Sequence, residues 1–333
     1  MPSSATSSSS IPRTSASSRP ERLLALLATA VLVGAPRVAA QEARVSGVVV
    51  RIGAADSVPV PAAVVLHAIS PGFQGPVDSL TAPADGRFTL RASLDTGATY
   101  LVTAHWDGVA YFARPVTAAE ARDGAVVIVA VADTSAAQPV SLVTRHLVIG
   151  APEEPDLRQV MEVIGLRNLG PATRSAPDSV GAAYSFPLPA GATDLVGVEG
   201  DFSLRSVRLV EGRLEILAPI PPGESRLLVT YHLEGGSSAL RFESPVDTVE
   251  VYLEEPEARV EGPGLRRLPM VQEGAVLAAW GTRAMPAGSA VILRFPGAAT
   301  PGSRWFLPVL VAIVGIGLAV ATVRALARRK PAP

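Results

Sequence analysis

The sequence predicts an all-β protein, in which tandem antiparallel β-sandwich domains are followed by one C-terminal transmembrane helix. Two observations predict the sandwiches: short valine-rich runs recur between residues 43 and 295, and glycine or proline turn signals separate them. A third predicts the helix, because residues 305–323 carry no charged side chain. At ~1.5 Å per residue such a helix is about 28 Å long, close to the ~30 Å hydrocarbon core of a bilayer.

Residues 1–40 predict a secretory signal peptide with a serine-rich n-region. Arg19 and Arg22 precede an apolar run, residues 23–35, that is too short to span a bilayer comfortably. Small residues up to Ala40 then provide a cleavage site. The long n-region and Arg37 leave open the alternative of an uncleaved signal anchor.

Residues 41–134 have the pattern of a first β-sandwich. The strand candidates are residues 43–52, 59–69, 87–92, 99–104, 109–116 and 125–132. Asp85-Gly86 and Asp107-Gly108 are two-residue turn signals between neighbouring runs. Six or seven short strands at this spacing favour two packed antiparallel sheets.

The order of the motifs in this region resembles that of a known family. The motifs are GVV at residues 47–49, PAAVVL at 61–66, DGRFTL at 85–90 and GATYLVTA at 97–104. In this order they resemble the carboxypeptidase regulatory-like domain, a transthyretin-type β-sandwich. The resemblance implies an accessory fold without catalytic residues of its own, which serves as a spacer or binding module in secreted or membrane proteins.

The residues of these motifs also have physical reasons of their own. Gly47 suits a tight strand start, and Gly86 supplies the positive φ that a two-residue hairpin needs. We expect Phe88, Leu90 and Tyr100 to fill the layer between the sheets.

A second β-rich extracytoplasmic region, one sandwich or two, is expected at residues 140–297, after a linker at 133–139. Its strand candidates are residues 140–149, 159–168, 207–210, 213–217, 226–233, 248–254, 276–280 and 290–295. The run 248–254 alternates most regularly, with Val249, Val251 and Leu253 on one face. Residues 170–181, rich in Pro, Ser and Asp, predict a long surface loop.

The C-terminal segment predicts a membrane anchor and its orientation. The residues assigned to it are Trp305, Gly315, Gly317, Arg324, Arg328, Arg329 and Lys330. Cations behind the span keep residues 324–333 in the cytoplasm as a basic tail, so the head lies outside. With arginine far outnumbering the single lysine, we expect a single-pass protein of a bacterial inner membrane with a periplasmic head. Gly315 and Gly317 are each followed by an alanine four positions later, and small residues at this spacing let two helices pack closely. A homodimer is therefore an open alternative.

Composition excludes several classes of function. The chain has no cysteine, which excludes disulfides, thiolate metal sites and thiol nucleophiles. Its net charge is −1, although the tail has four cations and residues 1–40 have four arginines against one glutamate. The head between them is therefore acidic, which argues against binding to nucleic acid.

The sequence predicts no catalytic, cofactor or metal site. His67, His105, His146 and His232 each lie in or beside a strand candidate, without metal-ligand spacing. Trp106 and Tyr111, on either side of the Asp107-Gly108 turn, are candidate contacts for a glycan, with core packing and loop anchoring as the alternative reading.

Together these observations predict a non-enzymatic, membrane-anchored envelope protein that contacts the lipid bilayer and whose head binds another envelope or membrane protein. A membrane-tethered carbohydrate- or peptidoglycan-binding module is the alternative. A hydrolase whose histidine and carboxylates meet only in three dimensions is a third possibility.

Overall fold

The computed structural model describes residues 41–53, 56–152, 154, 156–178, 180–269 and 277–296. These residues are mostly β-strand, as the sequence predicts, with one short α-helix and one 3-10 turn at Leu204–Ser206. The predicted signal peptide, span and tail, including every residue assigned to the anchor, lie outside the described residues. Among the described residues no helix has the length and apolar character needed to cross a bilayer.

The first region forms two sheets. Its elements are β1 (Glu42–Ile52), β2 (Ser57–Pro59), β3 (Ala62–Ser70), β4 (Phe73–Ala82), β5 (Arg87–Ser93), β6 (Thr99–Trp106), β7 (Val109–Phe112), β8 (Val116–Thr117), α1 (Ala118–Arg122) and β9 (Ala125–Val131). One sheet has β1 at its centre, with β9 on one side and β5 and β2 on the other; the second runs β4-β3-β6-β7, with β8 also on β6. One apolar cluster joins the two sheets, and Phe88, Leu90 and Tyr100 are buried in it, as predicted.

The pairing of β1 with β9 corrects the expectation of a purely antiparallel sandwich. These strands run parallel over seven register pairs, from Val45 opposite Ala125 to Arg51 opposite Val131. A parallel pair needs a crossover connection, and here the chain between the two strands forms β2 to β8 and α1. The first sheet is therefore completed by β9, the last strand of the first region.

Gly47 serves close packing and not a strand start. It lies inside β1, and a Cβ atom there would be 2.1 Å from the carbonyl oxygen of Val127 and 2.6 Å from Cζ of Phe88. Gly86 does serve the predicted turn, with a φ of 68°. The first glycine is thus required by a strand 80 residues further along the chain, a requirement that no local pattern contains.

The second region is built around a long sheet. Its strands are β10 (Thr134–Ser135), β11 (Ser141–Ile149), β12 (Leu157–Asn168), β13 (Thr173–Arg174), β14 (Tyr184–Pro187), β15 (Ala192–Gly200), β16 (Val207–Val210), β17 (Arg213–Ile216), β18 (Gly223–Glu234), β19 (Ser237–Arg241), β20 (Thr248–Leu253), β21 (Arg259–Glu261), β22 (Arg266–Arg267), β23 (Ala278–Thr282) and β24 (Ala290–Arg294). The long sheet runs β15-β18-β12-β11-β20-β23-β22. The neighbours β11 and β20 are again parallel.

Two three-stranded sheets, β14-β17-β16 and β19-β24-β21, share one hydrophobic core with the long sheet. Val249, Val251 and Leu253 of β20 point into that core, as their alternation predicts. The core is continuous from Leu142 to Phe295, so the described part of this region has one core and not two.

The chain enters and leaves the second region at opposite ends. The amide of Asn168, at the end of β12, donates to the carbonyl of Ala172, beside the β10–β13 pair that follows the first region. At the start of β12, the N–H of Gly235 donates to Asp156, and the N–H of Phe295 donates to the neighbouring Gly236. β12 has 12 residues, and at ~3.3 Å per residue these two ends are about 36 Å apart.

Candidate functional site

Tyr111 lies at the joint between the two regions and is not an exposed platform. Its side chain is buried, with 5% of the residue exposed. The hydroxyl donates to the carbonyl of Ala132 at 2.7 Å and accepts from the hydroxyl of Thr173, also at 2.7 Å. Burial raises the pKa of Tyr111, although the hydrogen bonds to Thr173 and Ala132 oppose this rise. The ring therefore offers no stacking face to a glycan. Of the two predicted glycan contacts, only Trp106 remains.

Trp106 is half-buried and anchored to the same joint. Its indole Nε1 donates to Oδ1 of Asp133 at 3.1 Å. The other carboxylate oxygen of Asp133 accepts from Nη1 of Arg51 at 3.0 Å. Trp106 thus holds the residue at which the predicted linker begins, and this contact corresponds to the anchoring alternative of the sequence analysis.

Asp107 fixes the next residue of the linker. It adopts a φ of 49° in the turn between β6 and β7, and its carboxylate accepts from the hydroxyl and the backbone N–H of Thr134 at 2.7 and 2.9 Å. The hydrogen bond from the Thr134 hydroxyl, with that from its N–H, lowers the pKa of Asp107. Thr134 and Ser135 then pair with β13, so the predicted linker is a structured joint formed by Trp106, Asp107, Tyr111, Asp133, Thr134 and Thr173.

An ion pair lies inside the core of the second region. Arg145 and Glu162 are both fully buried; Nε of Arg145 donates to Glu162, and Nη1 donates to the carbonyl of Pro187 at 2.8 Å. Tyr231 donates its hydroxyl to the other oxygen of Glu162 at 3.0 Å. Burial, with the charge of Glu162, raises the pKa of Tyr231 well above its ordinary value. These side chains are closed off from solvent, so we assign them to the stability of the core.

A second buried pair anchors the end at which the chain leaves. Arg158 donates to both carboxylate oxygens of Glu255, at 2.6 and 3.3 Å, and to the carbonyl of Gly235. Its guanidinium lies 4.1 Å from the centroid of the Phe295 ring. The start of β12, the loop after β20 and the residue that follows β24 are therefore held together.

One histidine and one carboxylate meet on the outer face of the long sheet. His146 of β11 lies opposite Glu250 of β20, and their Nε2 and Oε2 atoms are 3.5 Å apart. Tyr252 donates its hydroxyl to the same oxygen at 2.7 Å. Burial lowers the pKa of His146, although the charge of Glu250 opposes this. The cluster places the imidazole of His146 and the hydroxyl of Tyr252 beside one carboxylate.

A shallow groove of about 560 Å³ lies beside this cluster. Its lining residues are Glu250, Gly264, Arg266, Leu268, Gly281, Thr282, Arg283 and Ala284. Gly281 lies between Glu250 and Arg266 in the register of β20, β23 and β22, and a Cβ atom there would be 2.9 Å from Cδ1 of Leu268. Of the other histidines, His232 lies 3.8 Å from Asp194. In the described part of the chain no three metal-ligating side chains come together.

Comparison with known proteins gives little that bears on function. The chain matches no protein-family profile, and no curated protein is similar to it. Among solved structures it is similar to a variant of the M1 zinc metallopeptidase from Deinococcus radiodurans bound to a Tyr-Ser-Ala substrate, with a TM-score of 0.31, 14% identity and 46% of this chain covered. A second structure of that metallopeptidase variant gives a TM-score of 0.30 and 15% identity.

The matched segment spans 42% of the length of those peptidase chains. Likenesses of this size carry no inference about the fold or the activity of the present chain.

Proposed function

We propose that this chain is a non-enzymatic, single-pass protein of a bacterial inner membrane, whose extracytoplasmic head binds another envelope or membrane protein. The observation that carries the proposal is the uncharged segment at residues 305–323, with Arg324, Arg328, Arg329 and Lys330 behind it. Such a segment matches the bilayer in length, and the cations retain the C-terminus in the cytoplasm. The signal-peptide pattern of residues 1–40 agrees with export of the head.

The head, in this proposal, consists of tandem β-sandwiches, of which the first is the carboxypeptidase regulatory-like one. The separation of the joint from the end of β24 supports a spacer role. Only eight residues lie between Pro296 and Trp305, so the exit end of the second region stays near the bilayer. The first sandwich joins the other end of β12, about 36 Å away, and is therefore presented to partners beyond the membrane surface.

The joint supports the same role, because a spacer holds its binding surface in place only if its domains do not swing freely. Tyr111, Asp107 and Trp106 each hydrogen-bond to residues that follow the first sandwich. At the other end, Arg158 and Glu255 hold the chain where it leaves. The glycan-binding alternative depended on Trp106 and Tyr111 together, and with Tyr111 buried it has less support.

Topology and partner can be tested in the same cells. A reporter active only outside the cytoplasm should be active when fused after Pro296 and inactive when fused after Pro333. Crosslinking in intact cells, followed by mass spectrometry, should recover a defined envelope or membrane protein with the full-length chain. An active reporter after Pro333 would overturn the topology, and recovery of no protein partner at all would overturn the function.

A further inference from the structure

The last strand of the first region, β9, presents apolar side chains to solvent. Val126 is 71% exposed and Ile128 is 64% exposed, whereas the alternate residues Val127 and Val129 are buried in the core. Among the described strands β9 pairs only with β1. Its other edge therefore has backbone N–H and C=O groups without a strand partner in the described residues.

The other edge strands of at least five residues in the described part are protected by charge. The protecting residues are Asp78 in β4, with Pro76 beside it, Arg87 and Arg91 in β5, Asp194 and Glu199 in β15, and Arg241 in β19. β9 reads AVVIVAV and contains neither a charge nor a proline. Natural proteins protect exposed edges in this way because an open edge pairs with other strands. The absence of such protection on β9 indicates that this edge is covered in the cell.

We propose that β9 pairs with β9 of a second copy of this chain, antiparallel and centred on Ile128. The strand is close to a palindrome about that residue, since Val127 and Val129 flank it and Val126 would oppose Ala130. Every opposed pair in this register is apolar, and no like charges face each other.

Charge selects edge-to-edge pairing over stacking of the two sheets. Arg87 lies opposite Val48 and Arg91 opposite Arg44, on the same outer face as Val126 and Ile128. Stacking this face on its copy would bring the arginines of both chains together, which costs free energy. In edge pairing, Arg87 and Arg91 of β5 are separated from β9 by β1. Neighbouring strands are ~4.8 Å apart, so the arginines lie about 10 Å from β9.

This inference goes beyond the proposed function, because it concerns contact between two copies of the head and leaves the envelope partner to the crosslinking experiment above. The chain has no cysteine, so one introduced thiol is unique. In the proposed register I128C opposes itself with Cβ atoms roughly 5 Å apart, within reach of a disulfide. V126C lies four positions from its own copy, about 13 Å away, and opposes residue 130 instead.

Mild oxidation of intact membranes should convert full-length I128C into a covalent dimer. V126C alone and A130C alone should give at most about a tenth of that yield, and co-expression of the two should restore it. Equal yields from V126C and I128C would indicate unspecific collision and overturn the register. Absence of a dimer from I128C would overturn the pairing itself.

A second measurement does not depend on thiol chemistry. The mass of the full-length protein in mild detergent should correspond to two chains for the native protein and to one chain for I128K. F73K, which alters a residue that is 49% exposed on another edge strand, is the matched control and should keep two chains. Two results together would refute the self-pairing and leave the proposed function standing. They are a mass of one chain for the native protein and a disulfide between I128C and a different protein.

Discussion

The hydroxyl groups of Tyr111 and Thr173 lie 2.7 Å apart, although 62 positions separate the two residues in the chain. Tyr111 belongs to β7 in the first region, and Thr173 begins β13 in the second. Both side chains are buried, so this hydrogen bond is shielded from water, and it connects the two regions independently of the polypeptide between them.

We expect Y111F to destabilise the chain by about 1–3 kcal/mol, because the hydroxyl of Thr173 and the carbonyl of Ala132 lose a buried partner. T173V should cost a similar amount. The double variant should cost clearly less than the sum of the two, since both partners of one bond are then absent. Urea unfolding of the full-length protein, followed by tryptophan fluorescence, measures these differences. Additive costs would show that the two hydroxyls do not interact.

Removing one partner of the buried Arg145–Glu162 pair should be far more costly than removing an exposed one. R145M leaves the carboxylate of Glu162 buried with only Tyr231 as donor, and we expect a loss of about 3–5 kcal/mol in the free energy of unfolding. R145M/E162L should recover most of this loss.

Arg114 and Glu120 form an exposed pair at 2.9 Å and provide the control. R114M should cost far less than R145M, because surface pairs contribute little to stability. A small cost for R145M, comparable to that of R114M, would contradict the assignment of the buried pair to core stability.

His146 should make the folded state sensitive to acid. Its pKa is lowered in the folded protein by burial, so below the ordinary value of about 6.5 the unfolded chain binds the proton more readily than the folded one. The free energy of unfolding should therefore fall as the pH is lowered from 7.5 to 5, and the imidazole contributes no such change above this window.

H146Q removes the titrating group while it keeps a polar side chain, so its stability should fall less over the same range of pH. Glu250, Glu162 and Tyr252 are the titratable neighbours and are present in both proteins. Unfolding curves of the two proteins at matched pH values provide the comparison. Identical slopes would exclude His146 as the source of the acid sensitivity.

G47A should disrupt the first region. The added methyl group would lie 2.1 Å from the carbonyl oxygen of Val127, and a backbone atom cannot move aside without separating β1 from β9. We expect the free energy of unfolding to fall by about 1–3 kcal/mol. G72A is the matched control, because a Cβ there meets nothing within 4 Å. Thermal unfolding of both variants compares them, and an unchanged G47A would contradict the close approach of β9.

Much of the strand content could be predicted from the sequence, because the alternation of a strand is local. Residues 43–52 predicted β1, and residues 248–254 predicted both β20 and the face that it buries. The two longest strands that were missed are interrupted: β4 contains Gly75 and Pro76, and β15 contains Asp194 and Gly197. Their side chains give no regular alternation, and they lie in sheets because neighbouring strands pair with them.

The candidate sites were less predictable, because contact partners are distant in the chain. One signal was present: Arg145 and Glu162 occupy the inward-facing positions of two predicted strands, where opposite charges indicate a buried pair. For Tyr111 the sequence offered two readings, and only the position of Thr173 and Ala132 decided between them.

By itself the sequence determined where most strands lie, that residues 41–323 are acidic and without cysteine, and that an uncharged stretch at residues 305–323 is followed by cations. These properties belong to single segments. The tertiary structure alone decided that β1 and β11 pair in parallel with β9 and β20, that the expected linker is a joint, and that β9 is an uncharged edge among the strands that the structure describes. The physical reason is that strand pairing and burial depend on residues that the fold brings together from far apart in the chain.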